Sequence, residues 1–454
     1  MPYQKTIALI CLIGLSLSVL AQEEDEDRWV FGLEFKGHVR NSKEAKFPVP
    51  FPFPQSFLRP GESTGILDTA DPGEHYEVSR VSFFLQANFQ ENLRGFLKLD
   101  TIDLYDRNPT SGDTQVDVDE VWLRYGREVD PQLVPERGSF YAKLGKFGAF
   151  ERQDDRTLES YGLISTAFNR FEDAGLELGV DFGSHFYLKS SYTSGNPVFF
   201  RDPNSLAGDN GIHDPKTGVS NNPRFGSGIL LFYDAEVEWG DLHLDDGEFS
   251  LAAGMRLGQP DGLYTANIMA FYRQRDLQDR INLTGTAYDA DLDLLLGADE
   301  VGITGGLPLD GREKNESGAN LWLYLNNAVV FGQYVDQEVA GLTRKGLEVE
   351  ASWAFQLPLI WAANDRQLFS QIIPAVRYSH LDPQFTGNGM LYPTPSVWWE
   401  WKKWDFGLVT QLYPNLAMTI EYADNRFKRN GVFEQADEFL LTFRWRWASG
   451  DLSF

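Results

Sequence analysis

Cysteine is almost absent from this chain. Cys11 is the only one among 454 residues, and it sits inside a short apolar stretch at the N-terminus. Past that stretch, disulfides, thiol catalysis and cysteine metal sites are excluded. Long apolar runs are missing too. After residue 21 no segment approaches the roughly 20 consecutive apolar residues of a membrane-spanning helix. Positive charge is in deficit: 40 Lys and Arg stand against 66 Asp and Glu, for a net charge of −26. That argues against nucleic acid as a partner, and the overall field repels anions. The six histidines, His38, His75, His185, His213, His243 and His380, show no metal-ligand spacing and no HExxH. Neither GxSxG nor a Walker A sequence occurs. His185 and His380 follow Ser184 and Ser379, but neighbours on a strand point to opposite faces. Acidic stretches at 202–214 and 289–300 lack EF-hand spacing and read as solvated loops. No catalytic residue, metal site or cofactor is expected.

Aromatic residues, by contrast, are plentiful: 12 Trp, 18 Tyr and 33 Phe. They are also patterned. Phe439 to Trp447 reads FLLTFRWRW, with Phe439, Leu441, Phe443, Trp445 and Trp447 on one parity and Thr442, Arg444 and Arg446 on the other. In a strand these are opposite faces, one aromatic and one cationic. Trp29, Phe31, Leu33, Phe35 and Val39 repeat the pattern near the other end, against Glu34, Lys36, His38 and Arg40. A strand with lipid on one side and water on the other has this composition, and a mean hydropathy of only −0.33 fits walls that are half polar.

Strand-like segments recur at 29–40, 76–89, 93–105, 115–127, 139–147, 171–183, 185–193, 225–239, 249–258, 263–275, 319–337, 342–356, 367–381, 397–412, 416–428 and 437–447. They predict an all-β, transmembrane antiparallel barrel of about 16 strands. Two more strands within 276–318 would bring it to about 18. Asn326-Asn327 is a candidate turn within 319–337. Short connections (90–92, 183–184, 413–415) alternate with long ones (41–75, 148–170, 194–224, 383–396), as short periplasmic turns alternate with long outer loops. The segment 47–54, FPVPFPFP, is excluded from a ladder interior.

Residues 1–21 read as a secretory signal, with Lys5 in the n-region, an apolar run from Ile7 to Leu20, and a small-residue cleavage site ending at Ala21. Its removal takes Lys5 and changes the net charge from −26 to −27. The barrel would occupy 22–454, in a bacterial outer membrane.

Several blocks, in order, resemble the phosphate-selective porin O and P type of outer-membrane channel. They are VDVDEVWLRYG (116–126), SFYAKLGKFGAF (139–150), FEDAGLELGVDFG (171–183), GLEVEASWAF (346–355), IIPAVRYSHLDP (372–383) and FGLVTQLYPNLAMTIEYADNRF (406–427). The resemblance implies a homotrimer of 16-stranded barrels, each with a loop folded into its lumen. The expected partners are outer-membrane lipid and lipopolysaccharide, small solutes or ions, and the barrel assembly machinery. That machinery commonly reads a terminal Phe. Here Phe454 follows Trp447 by seven residues, so Phe443, Trp445 and Trp447 are alternative carriers of the signal. The family's phosphate selectivity is not carried over, because charge is mixed where lumen bases are expected.

The strongest candidate site follows 139–147. Glu151 to Ser160 reads ERQDDRTLES, and Asn169-Arg170 follow. As an inward-folded loop near 148–170 it would set Arg152, Arg156 and Arg170 against Glu151, Asp154, Asp155 and Glu159 at a pore constriction. As a solvated outer loop it would do nothing of the kind. Arg124, Lys143, Arg256, Arg377, Arg444 and Arg446 lie on the parity opposite large apolar neighbours. They read either as a basic track or as members of lumen charge pairs with Asp117, Asp119, Glu348 and Glu350. The function these expectations support is passive diffusion of small hydrophilic solutes. The alternatives are an anion or phosphate channel, a non-conducting barrel enzyme or adhesin, and a soluble envelope β-protein.

Overall fold

The computed structural model describes residues 28–43, 73–103, 117–153, 156–160, 162–168, 172–195, 247–260, 263–277, 307–359, 366–387, 398–429 and 431–450, together with short strand fragments between them. The signal segment 1–21 with Cys11, Asp154, Asp155, Arg170, the acidic stretch 202–214 and Phe454 lie outside the described residues.

Sixteen staves form one closed antiparallel sheet. They are β1 (Trp29–Ser42), β2 (Gly73–Gln90), β3 (Leu93–Asp103), β4 (Asp117–Gly126), β5 (Phe140–Gly148), β6 (Glu172–Phe182), β7 (Phe186–Thr193) and β8 (Glu248–Gly258). The second half comprises β9 (Tyr264–Asp276), β10 (Glu313–Leu325), β11 (Ala328–Val339), β12 (Leu342–Trp353), β13 (Gln371–Pro383), β14 (Glu400–Tyr413), β15 (Leu416–Arg429) and β16 (Val432–Ala448). Each pairs with its chain neighbours, and β16 returns to β1 with Leu33 opposite Trp447 and Phe35 opposite Trp445. Closure leaves no edge strand, which a bilayer requires because unpaired backbone groups there have no water to bond.

The expected strand number holds, but two of its elements differ. Leu230–Asp234, within the predicted stave 225–239, pairs instead with Val198–Arg201 and Arg280–Leu283 in a small separate sheet. Alternation marks a half-buried strand without saying which sheet it joins. Segment 319–337 is two staves, β10 and β11, folded about Asn326-Asn327. Asn326 has φ of 57°, a left-handed conformation that asparagine tolerates at a tight hairpin.

The wall is apolar outside and polar inside. On β16, Phe443, Trp445 and Trp447 are 39%, 37% and 41% exposed, whereas Thr442 between two of their neighbours is 1% exposed. Leu144, Leu178, Ile268, Leu347, Phe406 and Ile420 repeat the outward apolar face on other staves. Arg377, Lys403, Asp405 and Glu421 are buried on the inward face. A water-soluble protein rarely exposes contiguous apolar surface beyond a few hundred Å²; a bilayer-spanning barrel must.

Both described ends of the chain, at residues 28 and 450, lie at the same end of the barrel as the turns 91–92, 183–185, 326–327 and 414–415. The stave ends that flank the long connections 43–72, 149–171, 194–247 and 277–312 lie at the other end. That end also carries a tight turn at 340–341. The termini end carries the longer connections 127–139 and 354–370.

Candidate functional site

The connection between β5 and β6 is tied to staves around the ring. It contains one short helix, α1 (Leu163–Ala167), whose Leu163, Ile164, Thr166 and Ala167 are buried. At its start, the Glu151 carboxylate is bonded by Arg273 of β9 at 2.7 Å. The Glu151 carbonyl oxygen accepts from Asn320 of β10 (2.7 Å) and Gln333 of β11 (2.9 Å). The Thr157 backbone N–H donates to Glu350 of β12 at 2.7 Å. The N–H groups of Glu159 and Ser160 donate to Glu421 of β15 at 2.9 and 3.2 Å. The Ser160 hydroxyl bonds Asp405 of β14 at 3.2 Å and also reaches Glu421. Arg377 of β13 donates from Nη2 to the Ser160 carbonyl oxygen (2.7 Å) and hydroxyl (2.6 Å). A connection that reaches all these inward-facing groups crosses the lumen.

Room for it is built into the wall. Gly346 on β12 and Gly407 on β14 sit on the inward parity. A Cβ at Gly346 would meet Ile164 Cδ1 at 2.5 Å, and one at Gly407 would overlap Leu158 Cδ2. Side chains there would hold the connection off its carboxylate partners. An isolated glycine inside a strand is the sequence signal for such a close approach.

Arg152, predicted for this region, pairs with Glu172 of β6 and, at 3.4 Å, with Glu120 of β4. Glu120, Glu172 and Asp119 place carboxylate oxygens within 4.8 Å of one another. Lys98 pairs with Asp119, so Arg152 and Lys98 hold the group together. Arg156 lies close enough to Glu350 to act on it electrostatically. Glu159 pairs with Lys36 of β1 at 2.9 Å and with Arg444 of β16. Burial pushes the Glu159 carboxyl up, but Arg444 and Lys36 outweigh it and hold its pKa well below the ordinary carboxylate range.

Each of the six inward bases named from parity has a carboxylate partner. Arg124 bonds Glu128 at 3.0 Å, and Lys143 bonds Glu128 at 3.0 Å and Glu177 at 3.4 Å. Arg256 pairs with Asp181 and stacks over Tyr187 at 4.1 Å. Arg377 pairs with Asp405 (2.9 Å) and Glu350 (3.4 Å). Arg444 pairs with Glu159, and Arg446 with Glu34 across the β1–β16 seam. These carboxylates offset the field of the bases inside the barrel. Sequence reading passed over Lys36, Glu421 and Asp405 as anchors, and the pairing that reveals them is long-range. Of the two Ser-His neighbours, Ser184 and His185 lie in the turn 183–185, while Ser379 and His380 behave as strand parity requires. Ser379 donates to Glu348 at 2.8 Å while His380 contacts Glu400 at 3.1 Å.

The sequence matches no family profile and no curated protein. Among solved structures it is similar to Pseudomonas putida OprB at high pH, with 9% identity over 93% of this chain and 95% of that one, at a TM-score of 0.50. Salmonella typhi OmpF in complex with daunomycin (11% identity, 94% and 99% covered, TM-score 0.47) is also similar. So is an anion-selective porin from Comamonas acidovorans (8% identity, 92% and 98% covered, TM-score 0.46). At 9% identity the likeness to OprB is one of fold alone, a closed antiparallel β-barrel.

Proposed function

We propose that the chain is a bacterial outer-membrane porin, a passive diffusion channel for small hydrophilic solutes, with no chemical step. The observation that carries this reading is the connection 149–168, bonded across a charged lumen inside an apolar outer wall. On this reading the connection narrows the passage, and Arg152, Arg156 and Glu159, with Asp154, Asp155 and Arg170 of the same stretch of chain, belong to its constriction. Opposed acid and base at a constriction filter solutes by size and charge. Because the six inward bases are matched by carboxylates, weak selectivity is favoured over the anion- or phosphate-specific alternative. Export through a signal at 1–21, contact with outer-membrane lipid and lipopolysaccharide, handling by the barrel assembly machinery and assembly as a homotrimer belong to the same reading.

Single-channel recording of the refolded full chain in planar bilayers tests it. Discrete conductance steps with a small reversal potential in a salt gradient are expected. Folded, inserted protein that conducts nothing would overturn the channel and favour a non-conducting barrel. A strong anion preference would replace the general channel with the specific one.

A further inference from the structure

A cavity of about 1160 Å³ opens at the termini end, between the turn 91–92 and the connection 127–139. Its wall carries five arginines, Arg28, Arg94, Arg124, Arg127 and Arg137, against two glutamates, Glu91 and Glu128. Glu128 is already shared by Arg124, Lys143 and Lys189, at 3.0, 3.0 and 3.2 Å. Arg94 donates from Nε to the Asn88 side-chain oxygen at 3.1 Å. Among the described residues, Arg28, Arg94, Arg127 and Arg137 form no ion pair, and all four are exposed. In a chain of net charge −26, this gathers uncompensated guanidinium groups at one rim. The same wall includes Phe89, Tyr125 and Phe140, three aromatics of the outward face that are 42%, 58% and 48% exposed.

We infer that this cavity binds a phosphate group, held by Arg28, Arg94, Arg127 and Arg137, and that a membrane lipid supplies it. Guanidinium forks match the paired oxygens of a phosphate. The aromatic rim beside them offers the apolar surface on which acyl chains lie, at the level where a barrel's girdle meets headgroups. A free phosphate would engage the arginines alone, whereas a phospholipid would engage the arginines and the adjoining aromatic surface together. The lipid source rests on the membrane reading above; the phosphate site does not.

The test compares the full chain with an R127Q/R137Q variant, whose changes fall in a connection outside the staves. Both are placed in nanodiscs of phosphatidylcholine with and without phosphatidylglycerol. Native mass spectrometry then counts retained phosphatidylglycerol, and titration of inorganic phosphate into detergent-solubilised protein is read by calorimetry. The expected result is retention of phosphatidylglycerol by the wild type, weakened roughly tenfold or more in the variant. Phosphate binding that the variant loses, with no preference between lipids, supports the phosphate site and assigns it to the free anion. Equal behaviour of the two proteins toward both probes overturns the site. Conductance recorded in parallel separates the two proposals: a silent wild type rejects the channel, while binding alone decides the site.

Discussion

Lys36 and Arg444 face each other across the seam where the first and last staves pair. Like charges directly opposite on neighbouring strands repel. Here Glu159, delivered by the lumen-crossing connection, lies between them and pairs with both. Replacing it with glutamine should leave two cations facing each other in a largely desolvated place. The expected cost is roughly 3 kcal/mol or more, read as a lower denaturant midpoint in detergent. An unchanged midpoint would show that the seam does not depend on this carboxylate.

The same carboxylate sets a pH window. Its folded pKa is held below the ordinary value of 4.5. From neutral pH down to 4.5 it is ionised in both folded and unfolded chains, so its contribution stays constant. Below that the unfolded chain takes up the proton first, and the contribution is lost as pH falls through the lowered folded value. The stability gap between wild type and E159Q should therefore be flat from pH 7 to about 4.5 and close beneath it. A gap that closes already between pH 7 and 6 contradicts this account.

Arg377→Ala should be more damaging than Arg377→Lys. Alanine removes the fork that pairs with both Asp405 and Glu350, leaving Asp405 to Lys403 alone (3.1 Å), and removes both bonds to Ser160, at about 3–5 kcal/mol. Lysine restores the charge but not the fork. The connection should also become less firmly held, so open-channel current noise should rise in both variants, most in alanine.

Arg152→Ala should shift ion preference toward cations. It leaves Asp119, Glu120 and Glu172, whose oxygens lie within 4.8 Å of one another, with Lys98 as the partner of Asp119. Oxygen ligands of this kind suit calcium and magnesium. The reversal potential in a salt gradient should move in the cation direction, and millimolar calcium should reduce the current. A reversal potential that stays put would place Arg152 away from the ion path.

Thr157 and Ser352 donate and accept through their hydroxyls at 3.1 Å. The only native cysteine is Cys11, so a T157C/S352C pair should oxidise cleanly to a disulfide that fixes the connection to β12. A mobility shift on non-reducing gels checks this. Failure to crosslink under oxidant would argue against the lumen placement, whatever the protein conducts.

The barrel was legible in the sequence because its signal is local. Alternation at Trp29 to Val39 and at Phe439 to Trp447 follows from one face meeting lipid and the other meeting water. The seam between them follows from closure. The strand number was reached although 225–239 is not a stave and 319–337 is two. These departures offset each other, because alternation alone decides neither sheet membership nor the position of a two-residue turn. For the connection after β5, the sequence showed its mixed charge but not its anchors. Glu421, Asp405 and Lys36 meet it only through contacts more than a hundred residues apart in the chain. Gly346 and Gly407 were the available local clue, each an unforced glycine on an inward strand position.

The cluster of Lys36, Glu159 and Arg444 draws on three points spread over nearly the whole chain. A polypeptide that stops before residue 444 lacks one of its members, even with the lumen-crossing segment complete. Loss of the final stave therefore also strips that segment of one of its fastenings. Sealing the wall and seating what lies inside it share a keystone.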